Sequence, residues 1–182
     1  MNQLNLKNGQ SIVFRRLQAV DRELLQRFGR NLSDATHRLF SPHSYDDQTL
    51  EKVIARSESD EDRVYVAIDG EKIAAYCFLW WFDTKFPVLG IGIADEYQSL
   101  GLGKQLMSIL IEDARNAGCD GVELTTVLSN ERAFSLYERV GFKCLGTVEN
   151  VAGDGRILKE WHMLYPFRPD AKPPQRKHEP PV

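Results

Sequence analysis

Cysteine is scarce and scattered in this chain: Cys77, Cys119 and Cys144 are odd in number and far apart. Such a set excludes a disulfide framework and predicts buried free thiols. The four histidines form no cluster with metal-ligand spacing, so no metal site is expected. No apolar run is long enough to cross a bilayer, and the aromatic burst Phe78 to Phe82 has the length of a buried strand. Met1 to Gln10 is polar and does not read as a signal peptide. Positive charge is not in excess: a net charge of −3 argues against a general nucleic-acid binder. These absences point to a cytoplasmic protein with neither a membrane nor nucleic acid as partner. Proline is rare in the body of the chain, because six of the eight prolines fall from Pro166 onward, among scattered charges. That composition predicts a folded domain over 1–165 and a flexible tail over 166–182.

What remains is ordinary for one substantial core: 182 residues, 42% hydrophobic and 27% charged. Ile12 to Leu17 reads as a strand. Asp21 to Arg30 reads as a helix, with Asp21 suited to the N-cap and Leu24, Leu25 and Phe28 facing inward. Asp46 to Arg56 is a second helix. Val64 to Ile68 and Ile73 to Trp81 form a hairpin turning at Asp69-Gly70. Phe142 to Glu149 and Ile157 to Tyr165 form another around Gly153-Asp154-Gly155. Strands and helices in this order indicate an α/β domain with one central mixed sheet flanked by helices.

The most informative stretch lies between these hairpins. Val88 to Ala94 reads as a strand, and Leu102, Leu106, Ile109, Leu110 and Ala117 recur at helical spacing until Gly118. Between them stands Gln98-Ser99-Leu100-Gly101-Leu102-Gly103. A glycine-rich turn opening a helix aims free amides and the positive end of the dipole at one point, which suits an anion such as phosphate. A tight turn with a glycine kept for packing is the alternative. The loop lacks the third glycine of the dinucleotide fingerprint and the Gly-Lys-Ser/Thr of a P-loop. A second strand, Val122 to Val127, then leads through Asn130 into a helix with Ala133, Phe134, Leu136, Tyr137 and Val140 on one face, ending at Gly141-Phe142.

In order and spacing, Gln98-x-x-Gly101-x-Gly103, Asn130, Ala133, Leu136-Tyr137 and Gly141-Phe142 resemble the acyl-CoA signature of the GNAT superfamily of N-acetyltransferases. The resemblance covers about Val64 to Leu164. It implies a mostly antiparallel sheet in which two parallel strands, Val88–Ala94 and Val122–Val127, splay apart at one end. Pantetheine of acetyl-CoA would lie in that splay like an added strand, lined by Ile91, Gly92 and Ile93. Gln98, Ser99, Leu100, Gly101, Leu102, Gly103 and Lys104 would surround the pyrophosphate. Relatives often carry an Arg or Lys inside this loop, where this chain has Ser99 and Leu100, so the amides and Lys104 are left to attract phosphate. Gly90 and Gly92 weaken a strand unless something approaches closely; a bulge or close packing serves as well as a ligand.

Asn130 would anchor the cofactor, cap its helix, or both. Tyr137 matches the position whose phenol protonates the departing CoA thiolate; a core aromatic on an amphipathic helix is the alternative. For the base, Glu123 on the second strand is the first choice, against an exposed strand carboxylate with no role. Asp83, Asp95, Glu96 and a chain of waters are other candidates, and Thr125 holds one familiar acidic position. His37, Arg38 and His43 could bind an acidic group of the acceptor or form an ordinary polar loop. Trp80, Trp81 and Phe82 could wall the pocket or fill the core. The resemblance implies an enzyme that moves acetyl from acetyl-CoA to a primary amine of a small metabolite or protein by direct attack, without a metal. A non-catalytic acyl-CoA-binding sensor is the alternative, and a homodimer is left open.

Overall fold

A computed structural model describes residues 2–182. One eight-stranded sheet runs through the molecule in the order β1-β2-β3-β4-β5-β6-β8-β7. Its first four strands are β1 (Asn2–Asn5), β2 (Ser11–Arg16), β3 (Arg63–Asp69) and β4 (Lys72–Trp80). They are followed by β5 (Val88–Ile93), β6 (Gly121–Val127), β7 (Lys143–Val151) and β8 (Ile157–Pro166). Every neighbouring pair is antiparallel except β5 and β6, as the resemblance implied.

Helices cover both faces. The helices α1 (Arg22–Asn31) and α3 (Asp47–Glu58) press Leu25, Phe28, Leu50, Val53 and Ile54 onto Val64, Val66, Tyr76 and Phe78. On the other face α4 (Leu102–Asn116) buries Leu102, Leu106, Met107 and Leu110 against Leu79, Leu89, Val122 and Leu124. The α5 helix (Glu131–Val140) joins this second core through half-buried Phe134, Leu136, Tyr137 and Val140. The β3–β4 hairpin turns where Gly70 takes a φ of +57°, between paired Asp69 and Lys72.

Two elements escape a periodicity reading. β1 carries one buried apolar residue, Leu4, in four and is held by pairing to β2. The short α2 (Asp34–Leu39) forms where a polar loop is the sequence expectation. Its cap is built partly from a distance: Asp95 accepts from the Ser33 amide at 2.9 Å and from the Ser33 and Thr36 hydroxyls at 2.7 Å. Asp21 does precede α1, yet its carboxylate bonds Arg15 and the Gln18 amide instead of the helix's own amides. Of the cysteines, Cys77 is buried as expected, whereas Cys119 is half-buried and Cys144 is exposed on β7, an edge strand. Among the described residues no helix is long and apolar enough to cross a membrane.

From Phe167 the chain forms no helix, and its backbone pairs with the sheet at one isolated bridge, Asn150 to His178. It is nevertheless laid back on the domain. The Val151 amide donates to the His178 carbonyl at 2.8 Å, and Val182 packs against the α1–α3 core.

Candidate active site

The strands β5 and β6 share one registered pair, Val88 with Glu123, and the Glu123 amide donates to the Pro87 carbonyl at 2.9 Å. Beyond that point β5 stays on β4 as far as Ile93 while β6 follows β8, so the two part into a fork. Alternation along the ladder decides which groups face it. The Ala94 amide bonds the Ala74 carbonyl on β4, so the main-chain groups of Gly92 and Gly90 also point to β4. Those of Ile91 and Ile93 point into the fork, where an extended ligand can pair with them. Gly92 therefore departs from the expected lining role. A side chain there would strike the Phe40 ring at 2.2 Å, and one at Gly90 the Phe78 ring at 2.1 Å. Close aromatic packing is what these two glycines admit.

The expected phosphate loop stands at the mouth of the fork. Ser99 and Gly101 have φ of +67° and +85°, and Gly101 precedes α4 without a side-chain cap. The first-turn amides of this 15-residue helix, from Leu102, Gly103 and Lys104 onward, thus have no partner within the helix. Gly103 brings helix and strand together, since a Cβ there would lie 3.2 Å from Cδ1 of Ile93. Leu100 turns its half-buried side chain into the core, and its carbonyl accepts from the Lys7 amide at 3.1 Å. Gln98 is exposed, and its side-chain amide donates to the Thr36 hydroxyl at 3.1 Å and to the Ile93 carbonyl at 3.3 Å, tying the loop to α2.

Charge missing from the loop itself arrives from elsewhere. Arg132, in the first turn of α5, donates to the Ser99 hydroxyl at 3.1 Å. The Lys7 stem runs past Gly101, with Cε 3.3 Å from where a Cβ would stand. Neither cation was legible from the loop motif; an Arg two residues after Asn130 was the available signal. Uncapped amides with Lys104, Lys7 and Arg132 around them form a donor set that fits the phosphates of CoA.

The α5 helix runs from the phosphate loop, through Arg132 on Ser99, to β8, where the Phe134 ring lies 5.4 Å from that of Trp161. Asn130 caps it by accepting from the Ala133 amide at 3.2 Å through Oδ1, which leaves its Nδ2 hydrogens for another acceptor. Although its inner face is apolar, no residue of α5 is fully buried. The Tyr137 ring sits 5.8 Å from that of Phe142, and burial, with the negative charge of Glu160 beside it, pushes the phenol up to about 12. The group is protonated at neutral pH.

On the sheet's other face the picture changes. Glu123 points away from Val122 and Leu124, yet it is 1% exposed. It is therefore not an exposed strand carboxylate. One oxygen accepts from Arg176 and the other is bonded to Nε2 of His162, each at 2.7 Å. Asp95 is committed to capping α2, whose donors pull its carboxyl down to about 2, and Glu96 pairs with Lys72 at 3.0 Å. Asp83 is exposed. His43 is buried, bonded to the Ser44 carbonyl and the Tyr76 hydroxyl, so it belongs to the core rather than to an acceptor pocket. His37 is half-buried and Arg38 exposed at the end of α2. Trp80 and Phe82 are buried, while Trp81 is half-buried at the edge of the α1–α3 core, its ring edge-on to Trp80.

Comparison with known proteins agrees with this geometry. The model of the acetyltransferase (GNAT) family matches residues 26–142. The 5-NmdU N-acetyltransferase of Pseudomonas phage PaMx11 is 38% identical over 115 residues, covering 60% of this chain and 79% of the phage protein. An N-acetyltransferase of Bacillus subtilis, YvbK, is 32% identical over 80 residues, covering 43% of this chain. That match spans 52%, about half, of the Bacillus protein's length. In fold, a Salmonella typhimurium acetyltransferase solved with its cofactor acetyl-CoA superposes with a TM-score of 0.70 at 17% identity, covering 91% of this chain and 99% of that one. The chain belongs to the GNAT family of acetyl-CoA-dependent N-acetyltransferases.

Proposed function

We propose that this protein transfers acetyl from acetyl-CoA to a primary amine by direct attack, with Tyr137 as proton donor and Glu123 as proton acceptor. The observation that carries the reading is the fork between β5 and β6. It has the main-chain groups of Ile91 and the Ile93 amide free along one side, uncapped α4 amides at its mouth and the Tyr137 helix tied to that loop through Arg132. Pantetheine pairs with the β5 edge, and the phosphates take the amides of Leu102, Gly103 and Lys104 with Arg132, Lys7 and Lys104 around them. Ser99, Leu100 and Gly101 shape that loop, Gln98 anchors it, and Asn130 offers Nδ2 to the cofactor.

The acceptor enters as an ammonium ion and must lose a proton before its nitrogen attacks the thioester carbonyl. For a lysine-like amine this costs on the order of 4–5 kcal/mol at neutral pH, and for an α-amine about 1.4 kcal/mol. Glu123, paired with His162, takes that proton, through water where the amine stands away from it. The nitrogen–carbon bond forms, the carbon–sulfur bond breaks, and the thiolate takes the Tyr137 proton. The second proton of the former ammonium is released as the amide forms, and Tyr137 is reprotonated from solvent. Free CoA thiol and an N-acetyl amide result.

The test is release of CoA thiol from acetyl-CoA across a panel of small amines and amino-terminal peptides. Thiol release that depends on an amine supports the enzyme. Tight acetyl-CoA binding with no release from any amine would instead make the protein an acyl-CoA-binding sensor.

A further inference from the structure

We infer that Trp81, Phe86, Glu123 and His162 form a cation site for the incoming acceptor, and that Arg176 of the C-terminal segment occupies it as an internal stand-in. The inference rests on the transferase reading above and names the acceptor's chemistry: a group that arrives positively charged, such as an alkylammonium or a guanidinium.

The site is built rather than incidental. The Arg176 guanidinium donates through Nη2 to the Glu123 carboxylate and to the Phe86 carbonyl, each at 2.7 Å. Its carbon lies 5.1 Å from the centre of the Trp81 ring, a distance at which a cation is attracted to the aromatic face. Its Nε is buried without a partner, so the side chain is not fully served by the site it fills. Trp81 is itself held in an unusual backbone conformation, with φ of +52°, which is uncommon for a bulky residue. What holds it is Asp62, which accepts from the Trp81 amide at 2.8 Å and is clamped by Arg56 at 2.6 Å. The fold thus retains strain to present an aromatic wall.

Position ties this site to the chemistry. Glu123 is the residue registered with Val88 where β5 and β6 last touch, so the carboxylate marks the base of the fork, on the sheet face opposite α4. A buried carboxylate in an aromatic corner demands a positive partner. The segment that supplies it is rooted on Asp120 by the Phe167 amide and Arg168, and beyond that root it is held by the His178 carbonyl on Val151, the His178 ring 4.9 Å from that of His162, and the terminal Val182. An acceptor cation can therefore exchange with Arg176 by lifting a short, proline-rich stretch without unfolding the domain. While Arg176 is in place, both Glu123 oxygens are engaged, one by Arg176 and the other by His162, and the incoming cation has to displace the guanidinium to reach the carboxylate.

Two measurements test this. In the unmodified chain, hydrogen exchange is followed at the Val151 amide and through residues 169–182, with agmatine as the cationic probe and 1,4-butanediol, at matched ionic strength, as the uncharged one. Agmatine is expected to speed exchange at both places and butanediol to leave them unchanged. Arg176→Gln is expected to lower KM for the acceptor about tenfold, because the fraction of molecules open to it rises. Arg176→Lys, which keeps a cation in the site, should stay near the unmodified protein. Unchanged exchange with agmatine, or equal effects of both probes, would overturn the proposal, as would an acceptor KM that Arg176→Gln leaves unaltered. Exchange needs no turnover. A protein that opens with agmatine yet acetylates no amine loses the transferase reading and keeps the cation site.

Discussion

Replacing Tyr137 by phenylalanine removes one oxygen and leaves the ring in its contact with Phe142. The phenol's shift to about 12 comes from burial and the charge of Glu160, with no hydrogen bond contributing to it. Its removal therefore strands no partner, and stability should change by no more than roughly 0.5 kcal/mol. Rate is another matter. A positioned general acid contributes ~10²- to 10⁴-fold, or about 2.7–5.5 kcal/mol of barrier, so kcat should fall within that range while KM for acetyl-CoA holds. The raised phenol adds a second signature. An ordinary tyrosine would lose its proton through about pH 10 and take activity with it; here the donor stays protonated through that range, so the rate profile of the unmodified enzyme should show no alkaline fall from this group. The assay is CoA thiol release with an amine from the panel, under conditions where the chemical step limits the rate. An unchanged kcat in the phenylalanine variant would refute the assignment and leave water as the acid. A raised KM for acetyl-CoA with kcat intact would show that the hydroxyl serves binding alone.

Acetyl-CoA at a hundredfold excess over its dissociation constant should stabilise the fold by about 2.7 kcal/mol, read as a rise in Tm. Gly101→Glu should abolish that rise, since it forces a side chain onto a φ of +85° and sets a negative charge among the phosphate donors; a retained shift would move the phosphates elsewhere. Arg132→Ala should raise KM for acetyl-CoA several-fold with kcat unchanged, an effect that shrinks at high salt; an unaltered KM would reduce its contact with Ser99 to decoration. Burial holds the His43 imidazole down to about 4, so the unfolded chain takes a proton below about pH 6.5 that the folded chain refuses. Stability should accordingly be whole above that pH and fall by roughly 3 kcal/mol as pH drops toward 4. His43→Gln should flatten that part of the unfolding profile, and an unchanged slope would assign the acid sensitivity to other groups.

The parts of this molecule legible in its sequence are those whose physics is local. The fork's two strands, the amides opening α4 and the helix carrying Tyr137 each sit within one short segment, where period, glycine placement and capping can be read directly. The β3–β4 and β7–β8 hairpins followed for the same reason. What failed to show was assembled from a distance. The cap of α2 depends on Asp95, some sixty residues away. β1 is a strand because β2 offers it an edge, its own four residues carrying almost no alternation. Gly90 and Gly92 announced that something comes close; only the fold could say that it is Phe78 and Phe40.

The same distinction explains why the donor half of the reaction is easier to read than the acceptor half. In the proposed site acetyl-CoA meets main-chain groups, which any sequence supplies once strand and helix ends are fixed, and its phosphates accept positive charge from whatever element brings it. That tolerance lets Arg132 and Lys7 stand in for a cation the loop lacks. The acceptor instead meets side chains, and those grouped around Glu123 come from the end of β4, the start of β5, the middle of β8 and the C-terminal segment. Each reads unremarkably in its own neighbourhood: a Trp at a strand end, a loop Phe, a strand His, an Arg in a polar tail. Their meaning is the charge balance they strike together, because a carboxylate buried at the base of the fork must be answered by a cation. Here the chain provides that cation from its own last residues. Under the proposal made above, acceptor selection is a competition against Arg176 as well as a matter of pocket shape.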